Sequence, residues 1–400
     1  MMHLKRLCCG LALFPALASC LAADADPSPA DATARSAEVE TGGGNPRRPG
    51  SITVMTRNQY LGADLTPIIA APDAAAFNRE ALAALDQIAA NHFPARAFSL
   101  ALEIALQRPD LVGLQEVFDF RLNGAHGAPP YRDHLADTLQ ALSLLGQHYT
   151  VAAQVQNLAV TIPIDSNGDG AIDAGVNVLD RDVILVRDGL AATPVPYSAL
   201  CARPSLDGGP GCNYQVVVTA PSAVGPLAIE RGFVGVDVTV NGRAYRFVDT
   251  HLEVPDIDPT NPLSAAVQAA QAQELIAVLG ATSPADRKLI VVGDINSSPK
   301  DVITQVGGFT IVPPYIQLAA AGFSDSFVVD PRVRDGFTCC QAEDLRNAPS
   351  TLNQRIDVIV SRERPASASD EVVGSRLNER TLINHLWPSD HAGVVARLQF

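Results

Sequence analysis

The stretch LIVVGDINSSP, residues 289–299, joins a run of apolar residues to an acid and an amide. The apolar run predicts a buried strand, which ends at Gly293. Asp294 and Asn296 follow where such a strand reaches the surface. Because functional side chains often lie where strands leave a rigid sheet, this stretch predicts a core strand and part of a functional site.

Polar residues stand at the ends of other predicted strands as well: Asn58, Glu116, His251, Asp325, Asp357, Asp390 and His391. A single residue of this kind is usually turn or surface chemistry. The set is more specific, because carboxylates and an amide suit a hard cation such as Mg²⁺ or Mn²⁺, and histidines suit proton transfer. We therefore expect these residues to belong to one site.

Strand and helix patterns alternate along the chain and predict an α/β protein with a single domain over residues 51–400. Apolar runs predict strands at 51–56, 111–117, 149–155, 182–187, 214–220, 233–240, 245–252, 289–294, 355–361 and 393–400. Helical patterns cover 74–90, 95–107, 131–146 and 264–280, with Pro94 separating the first two. A hairpin signal at 240–244 indicates mixed or antiparallel sheets.

The first twenty residues predict an export signal rather than part of the fold. Two basic residues precede an apolar stretch that is too short to span a bilayer, and small residues follow it. The sequence LASC fits a bacterial lipobox with Cys20 lipidated, and cleavage after Ala22 or Ala23 is the alternative. Residues 21–50 predict a flexible tether. We expect a protein that is secreted, periplasmic or lipid-anchored at the bacterial cell surface.

Export implies an oxidising compartment, in which the four cysteines after residue 20 can form disulfides. Four cysteines allow three pairings. Cys201 and Cys212 bracket a Gly/Pro-rich loop that a disulfide could close, so we expect this pair. Cys339 and Cys340 are then bonded to each other or free. Metal binding by these thiols is the weaker alternative, because no second CxxC pair or suitably spaced histidine accompanies them.

Six short motifs in the chain, in this order, resemble the endonuclease/exonuclease/phosphatase superfamily, which includes DNase I: TRN (56–58), LQE (114–116), THLE (250–253), GDIN (293–296), RID (355–357) and SDH (389–391). Each motif is weak alone, but six in this order are specific. The resemblance implies a four-layer sandwich in which two β-sheets lie face to face, helices cover them, and the site lies at one end.

The resemblance implies a metal site and an acid that orients a histidine. Glu116 matches the principal Mg²⁺ ligand, and Asn58 and Asp390 match residues beside the metal. The family also pairs its first histidine with an acid in an earlier strand. Asp180 and Asp182 are both candidates for this acid, and Asp182 is favoured.

The remaining motif residues match groups that act on the phosphate. Asp294 matches the residue that orients and deprotonates the attacking water, although His391 could compete for this role, and Asn296 matches the residue that holds a phosphate oxygen. His251 and His391 match the pair that donates to the phosphoryl oxygens and assists the leaving group. Asp357 matches the carboxylate that orients the second histidine.

A separate acidic loop, DSNGDGAID (165–173), resembles a calcium-binding loop. Its candidate ligands are Asp165, Asn167, Asp169 and Asp173. The twelfth position is Val176 rather than Glu, and the preceding residues are expected to be extended, so a true EF-hand is not expected. A structural Ca²⁺ loop and a plain acidic turn are left as alternatives.

The expected function is a monomeric, Mg²⁺-dependent phosphodiesterase, with nucleic acid as the favoured substrate. A net charge of −14 disfavours extended nonspecific binding to nucleic acid but not brief contact through a cation. A phospholipid headgroup and a small phosphate ester are alternatives. The aromatic content of 5% gives no evident membrane hairpin of a sphingomyelinase, and three lysines are few for a polyphosphate phosphatase. A non-catalytic surface binding module is disfavoured, because every motif is present.

Overall fold

The computed structural model describes residues 49–124, 132–220, 222–223, 225–255, 264–330, 332 and 335–400. The predicted export signal and nearly all of the predicted tether lie outside these ranges. Within them, no helix combines the length and the apolar character that a membrane crossing requires.

The strands, in chain order, are β1 (Ser51–Asn58), β2 (Leu111–Gln115), β3 (Asp119–Gly124), β4 (Arg132–Asp133), β5 (Tyr149–Ile164), β6 (Ala174–Arg187), β7 (Ala192–Pro194), β8 (Cys212–Asn213), β9 (Val218–Ala220), β10 (Leu227–Ile229), β11 (Gly232–Val240), β12 (Arg243–His251), β13 (Lys288–Asp294), β14 (Thr304–Val306), β15 (Phe309–Ile311), β16 (Ser324–Asp325), β17 (Asp357–Ser361), β18 (Ser367–Val373) and β19 (Gly393–Gln399). The α-helices are α1 (Thr66–Ile69), α2 (Ala74–Ala90), α3 (Phe93–Gln107), α4 (His134–Leu144), α5 (Ser264–Thr282), α6 (Pro314–Ala320) and α7 (Ser326–Val329).

Two large sheets contain most of these strands. Sheet 1 has the order β18–β19–β1–β2–β6–β3–β4, with β5 also paired to β6, and sheet 2 has the order β16–β17–β13–β12–β11–β7, with β8 paired to β11. Both sheets are mixed, because β1–β2 and β12–β13 are parallel while their other neighbours pair antiparallel. The prediction of mixed sheets is confirmed.

The core lies in three layers of apolar side chains. Between the sheets, Val54 and Ile184 of sheet 1 pack with Phe247 and Val292 of sheet 2. On the outer faces, helices α3 and α4 cover sheet 1, and α5 and α6 cover sheet 2. Strand β13 is buried on both faces, which explains why its sequence is a continuous apolar run rather than an alternating one. The expected four-layer α/β sandwich is confirmed.

Local sequence signals account for several element boundaries. The side chain of Asp73 accepts a hydrogen bond from the Ala76 backbone and caps α2. Pro94 lies in the first turn of α3. Backbone N–H groups there have no partner within the helix, so a proline, which has no N–H, loses no hydrogen bond. Asn241 and Gly242 take left-handed backbone angles between β11 and β12, as a tight hairpin turn requires.

Two strand predictions differ from the structure. In the predicted strand at 214–220, only Val218–Ala220 is a strand. Tyr214 is instead fully buried, with its hydroxyl 2.7 Å from that of Thr250, so its apolar character reflects packing against sheet 2. Strands β5 and β6 are longer than expected and form one hairpin that the 165–173 loop connects.

The structure pairs the cysteines as the sequence predicts. Cys201 is bonded to Cys212 with a Cα–Cα distance of 6.3 Å, and Cys339 is bonded to Cys340. The first bond closes the Gly/Pro-rich loop beside β8, and Cys212 is fully buried against sheet 2.

Candidate active site

Strand register aligns three predicted site residues across sheet 2. His251 at the end of β12 pairs with Asp294 at the end of β13, and Asp294 pairs with Asp357 at the start of β17. All three side chains are essentially buried. Hydrogen bonding between neighbouring strands therefore places a histidine and two acids side by side at one end of the sandwich.

Gly293 makes this alignment possible. Its φ is +145°, and a Cβ atom added there would overlap the carbonyl oxygen of Thr250 on the neighbouring strand. Only glycine allows the two backbones to approach so closely immediately before Asp294. Replacement by a larger residue would displace β12 from β13 and separate His251 from Asp294.

Sheet 1 contributes Asn58 and Glu116 from the ends of adjacent strands. The Asn58 oxygen accepts a hydrogen bond from the Tyr60 backbone at 2.9 Å. Its amide nitrogen donates to Glu116 Oε1 at 3.0 Å and to Asp294 Oδ2 at 3.2 Å. The amide of Asn58 thus links carboxylates from both sheets. Its oxygen has a second lone pair, so the expected place of Asn58 beside the metal stays a prediction.

Left-handed backbone angles gather around these residues. Tyr60, Glu116 and Asn296 have φ values of 60°, 55° and 48°. Such angles are costly for residues with a Cβ, and they persist where surrounding contacts fix them. Leu61 N–H, for example, donates to Glu116 Oε2 at 2.9 Å and holds that carboxylate in place.

His391 is held by an acid, as predicted. Its Nδ1 lies 2.8 Å from Asp357 Oδ2, and its Nε2 lies 3.7 Å from Asp294 Oδ2. Burial acts to lower the pKa of His391, but the carboxylates of Asp357, Asp294 and Asp390 together raise it well above its usual value. Arg57, which forms an ion pair with Glu103, donates to the His391 carbonyl at 2.5 Å and fixes the backbone of this loop.

His251 has a different partner from the expected one. Its Nδ1 lies 3.0 Å from Arg231 Nη1, and Arg231 also pairs with Glu253 at 3.4 Å. A guanidinium always donates, so Nδ1 accepts and the ring proton is on Nε2, which faces Asp294 Oδ2 at 3.6 Å. Burial and the positive charges of Arg231 and His391 lower the pKa of His251 well below its usual value.

The expected pairing of Asp182 with His251 is wrong. Asp182 is fully buried, and its carboxylate accepts a hydrogen bond from Asn157 at 2.9 Å. Burial and the charge of Asp180 raise the pKa of Asp182 well above its usual value. Strand β6 therefore directs this acid into the interior, and Arg231, the residue directly before β11, occupies the position beside the imidazole.

Asp294 lies between the two histidines. Its Oδ1 accepts from the Asn296 backbone at 2.9 Å, and the Asn296 amide donates to the Leu252 carbonyl at 2.9 Å. Burial raises the pKa of Asp294 to about 7; the charge of His391 opposes this rise and that of Asp357 adds to it. A carboxylate with a pKa near neutrality is suited to accept a proton from water.

Glu116 and Asp390 line a cavity of about 310 Å³ at this end of the sandwich, together with Asp180 and Arg231. Burial raises the pKa of Asp390 to about 6, and the negative charge of Glu116 adds to the shift, although His391 opposes it. Two carboxylates that face one cavity form an oxygen-only donor set, which a hard divalent cation fits. Among the described His, Cys, Asp and Glu residues, the ligand atoms of Asp294, Asp357 and His391 lie within 4.8 Å of one another, and so do those of Cys339, Cys340 and His391.

Two predicted features lie away from this site. Asp325 caps α7 and forms an ion pair with Arg355 at 2.6 Å, so it is a structural residue. In the 165–173 loop, Asp165 accepts hydrogen bonds from the backbone of Gly168 and Gly170. Asn167, Asp169 and Asp173 accept from other groups of the same loop. The four candidate ligands therefore already accept hydrogen bonds within the loop. Calcium binding there stays a prediction.

Arg231 is the site residue that sequence reasoning missed. A usable signal existed in the hairpin at 240–244: the turn pairs Val240 with Arg243, and the same register pairs Gly232 with His251. Counting back from the turn would have shown that Gly232 pairs with His251 and that Arg231 is its neighbour in the chain.

A phosphoesterase-type hydrolase is the class that this fold and this carboxylate–histidine arrangement define. The chain belongs to the Endonuclease/Exonuclease/phosphatase family, whose sequence model matches residues 72–391. The family resemblance of the six motifs is thereby confirmed. No curated protein matches the chain.

Several solved structures resemble the chain at low sequence identity. An endonuclease/exonuclease/phosphatase from Beutenbergia cavernae is 19% identical with a TM-score of 0.48 over 88% of this chain and 72% of its own. A family protein from Leptotrichia buccalis is 16% identical with a TM-score of 0.46, covering 87% and 100%. TDP2 from D. rerio, complexed with a single-strand DNA product, is 14% identical with a TM-score of 0.45, covering 88% and 99%.

Proposed function

We propose that the protein hydrolyses phosphodiester bonds with the help of a divalent cation, Mg²⁺ or Mn²⁺, held by Glu116 and Asp390. The observation that carries the proposal is the position of Asp294, which lies 3.6 Å from His251 Nε2 and 3.7 Å from His391 Nε2. A base with a pKa of about 7 is thus flanked by two imidazoles that can donate hydrogen bonds to a phosphate.

Each of these side chains has one role in the proposed reaction. Asp294 takes the proton of the attacking water. Neutral His251 donates from Nε2 to a phosphoryl oxygen, and protonated His391 donates to another oxygen or to the leaving group. Asp357 keeps His391 charged and oriented, because its carboxylate accepts the Nδ1 proton at 2.8 Å.

The remaining polar groups position the ester. Asn296 lies at the rim of this cluster, where its amide can also donate to a phosphate oxygen. A divalent cation bound between Glu116 and Asp390 would neutralise phosphate charge and make phosphorus easier to attack.

The proposal is tested with a panel of bis-p-nitrophenyl phosphate, plasmid DNA, RNA and sphingomyelin, each with Mg²⁺ and with EDTA. Nucleic acid is included because the sequence favours it. Glu116→Gln should lower kcat by several orders of magnitude while thermal unfolding stays nearly unchanged. Glu371→Gln makes the same change outside the site and should be fully active. Full activity in EDTA, or in Glu116→Gln, would contradict a metal site at Glu116.

A non-catalytic binding module is the second outcome of this panel. Wild-type protein that hydrolyses none of the esters with Mg²⁺ or Mn²⁺, yet keeps its fold, would support that function in place of catalysis. The gathering of His251, Asp294, Asp357 and His391 in one buried cluster favours the enzyme.

We also propose that the chain is exported, with Cys20 as a candidate lipid anchor. The signal-like first twenty residues and the two disulfides support this. Fractionation of cells expressing the full chain and its Cys20→Ala variant tests the proposal. Retention in the cytoplasm would contradict export, and equal release of both proteins would contradict lipid anchoring.

A further inference from the structure

A second cavity of about 340 Å³ adjoins the candidate active site. It lies between helices α1 and α2 on one side and strands β3, β5, β6 and β10 on the other. Its lining is almost wholly aliphatic and aromatic, and among the described residues that line it Glu230 alone has a polar side chain. Glu230 in turn forms an ion pair with Arg203 at 2.8 Å.

The two cavities share part of their walls. Leu61, Phe118, Leu158 and Ile229 line both. Leu61 is the residue whose backbone N–H holds Glu116 Oε2, and its side chain faces the apolar cavity. A ligand whose phosphate lies beside Glu116 therefore has the apolar cavity directly adjacent to it.

This environment discriminates between phosphodiesters. The sugars and base edges of a nucleic acid carry donors and acceptors that would lie unpaired against aliphatic walls, which is unfavourable. A hydrocarbon chain has no such groups and gains from leaving water. The strongly acidic composition, with a net charge of −14, also disfavours a long polyanion.

We propose that the substrate is a phospholipid, bound with one hydrocarbon chain in the apolar cavity and its phosphodiester beside Glu116 and Asp294. The inference rests on the proposed phosphodiesterase function and departs from the nucleic acid that the sequence favours. The cavity volume lies near the lower end of the range of about 300–1,000 Å³ for ligand pockets, so it fits one chain rather than two.

The cavity is accessible from outside. Leu65 and Leu206, which line it, are 37% and 48% exposed, so its rim presents apolar surface to an approaching lipid. A chain can enter without opening the core.

The reaction balances without an additional reagent. The oxygen of water bonds to phosphorus and one P–O ester bond breaks. Asp294 accepts the proton of the water, and His391 protonates the departing alkoxide. The products are a phosphomonoester and an alcohol.

A series of alkyl p-nitrophenyl phosphates tests the chain-binding site, because the leaving group stays constant while the alkyl chain grows from methyl to octyl. In wild type, kcat/KM should rise about fourfold per methylene until the cavity is filled, which corresponds to about 0.8 kcal/mol each. A flat series would overturn the proposal. Activity on bis-p-nitrophenyl phosphate separates the two claims, since its absence would instead refute the phosphodiesterase function.

Val160→Trp on β5 and Leu227→Trp on β10 narrow the cavity from two different walls, because both side chains lie on the cavity face of their strands. Both should flatten the dependence on chain length, and thermal unfolding reports whether each variant is folded. Thr150→Trp places the same side chain at an exposed position elsewhere on β5 and should keep the wild-type dependence. If both cavity variants fold and retain that dependence, the chain binds elsewhere and the proposal is wrong.

The natural substrates are compared directly. Phosphatidylcholine or sphingomyelin in detergent micelles should be hydrolysed with a higher kcat/KM than plasmid DNA, and Val160→Trp should reduce the lipid activity. A higher kcat/KM on DNA would show that nucleic acid is the substrate and would overturn the lipid proposal.

Discussion

The two histidine regions of the site differ in the charge of the partner that holds each ring. His391 is bonded to the carboxylate of Asp357 and has a raised pKa, whereas His251 is bonded to the guanidinium of Arg231 and has a lowered pKa. The rings nevertheless face the same carboxylate oxygen of Asp294. One pocket thus contains a charged proton donor and a neutral hydrogen-bond donor.

The difference shows that the charge of the neighbouring group decides which role a histidine has in the site. An ionised acid favours imidazolium, while an adjacent guanidinium disfavours a second positive charge and fixes the tautomer. Only the His391 region can therefore deliver a proton at neutral pH, and the His251 region supplies a fixed N–H. Four substitutions test this division of roles.

Asp294→Asn should have the largest effect, because it removes the carboxylate that both regions share. We expect kcat on bis-p-nitrophenyl phosphate to fall about 10⁴-fold, the upper end of the range for a general base. The asparagine keeps the size of the side chain, so circular dichroism and thermal unfolding should change little. A loss below tenfold would show that Asp294 is not the base and would favour His391 in that role.

Asp357→Asn should lower kcat about 10²- to 10³-fold, with a smaller change in KM, because His391 loses its charge and its orientation. The comparison with His391→Ala and with the double variant is decisive. The double variant should be little worse than His391→Ala, since the two residues act as a unit. Multiplication of the two single losses would mean that Asp357 and His391 act independently.

Arg231→Met should lower kcat by about tenfold to 10²-fold, since the ring of His251 loses its fixed position and tautomer. Arg231→Gln retains a donor of similar reach and should recover part of that loss. The ¹⁵N chemical shifts of His251 measure the effect directly: wild type should carry its proton on Nε2, and Arg231→Met should show a mixture. An unchanged tautomer in Arg231→Met would limit Arg231 to a packing role.

Asp370→Asn should leave activity unchanged and alter only stability. Burial, with the nearby charges of Asp325 and Asp330, raises the pKa of Asp370 to about 7, the same value as for Asp294, but Asp370 lies on β18 away from the site. Asp370→Asn therefore tests whether a raised pKa alone, without a position in the site, affects activity.

The sign of the pH effect follows from the raised pKa. Between about pH 4 and 7 the folded chain holds a proton at Asp370 that the unfolded chain has lost, so wild-type stability falls as the pH rises. The melting temperature of Asp370→Asn should exceed that of wild type by more at pH 8 than at pH 5. An equal difference at both pH values would show that burial does not raise the pKa of Asp370.

Much of the fold and most of the site residues follow from the sequence. The apolar runs define the core strands, because a strand buried on both faces excludes polar residues. The residues that the motifs select, Glu116, His251, Asp294, Asp357 and His391, all lie at one end of the sandwich, and the Asp357–His391 bond is as expected. Short helices such as α1 and α7 were not predicted, because a single turn has no periodic pattern.

The tertiary structure alone decided how these residues are held. Contacts between residues distant in the chain determine three features: the partner of His251, the orientation of the Asn58 amide and the position of the apolar cavity. Composition and motif spacing carry little information about such contacts, since Asp182 and Arg231 have equally suitable side chains for a buried imidazole. Strand register and burial select between them: they enclose Asp182 beside Asn157 and bring Arg231 next to the residue that pairs with His251.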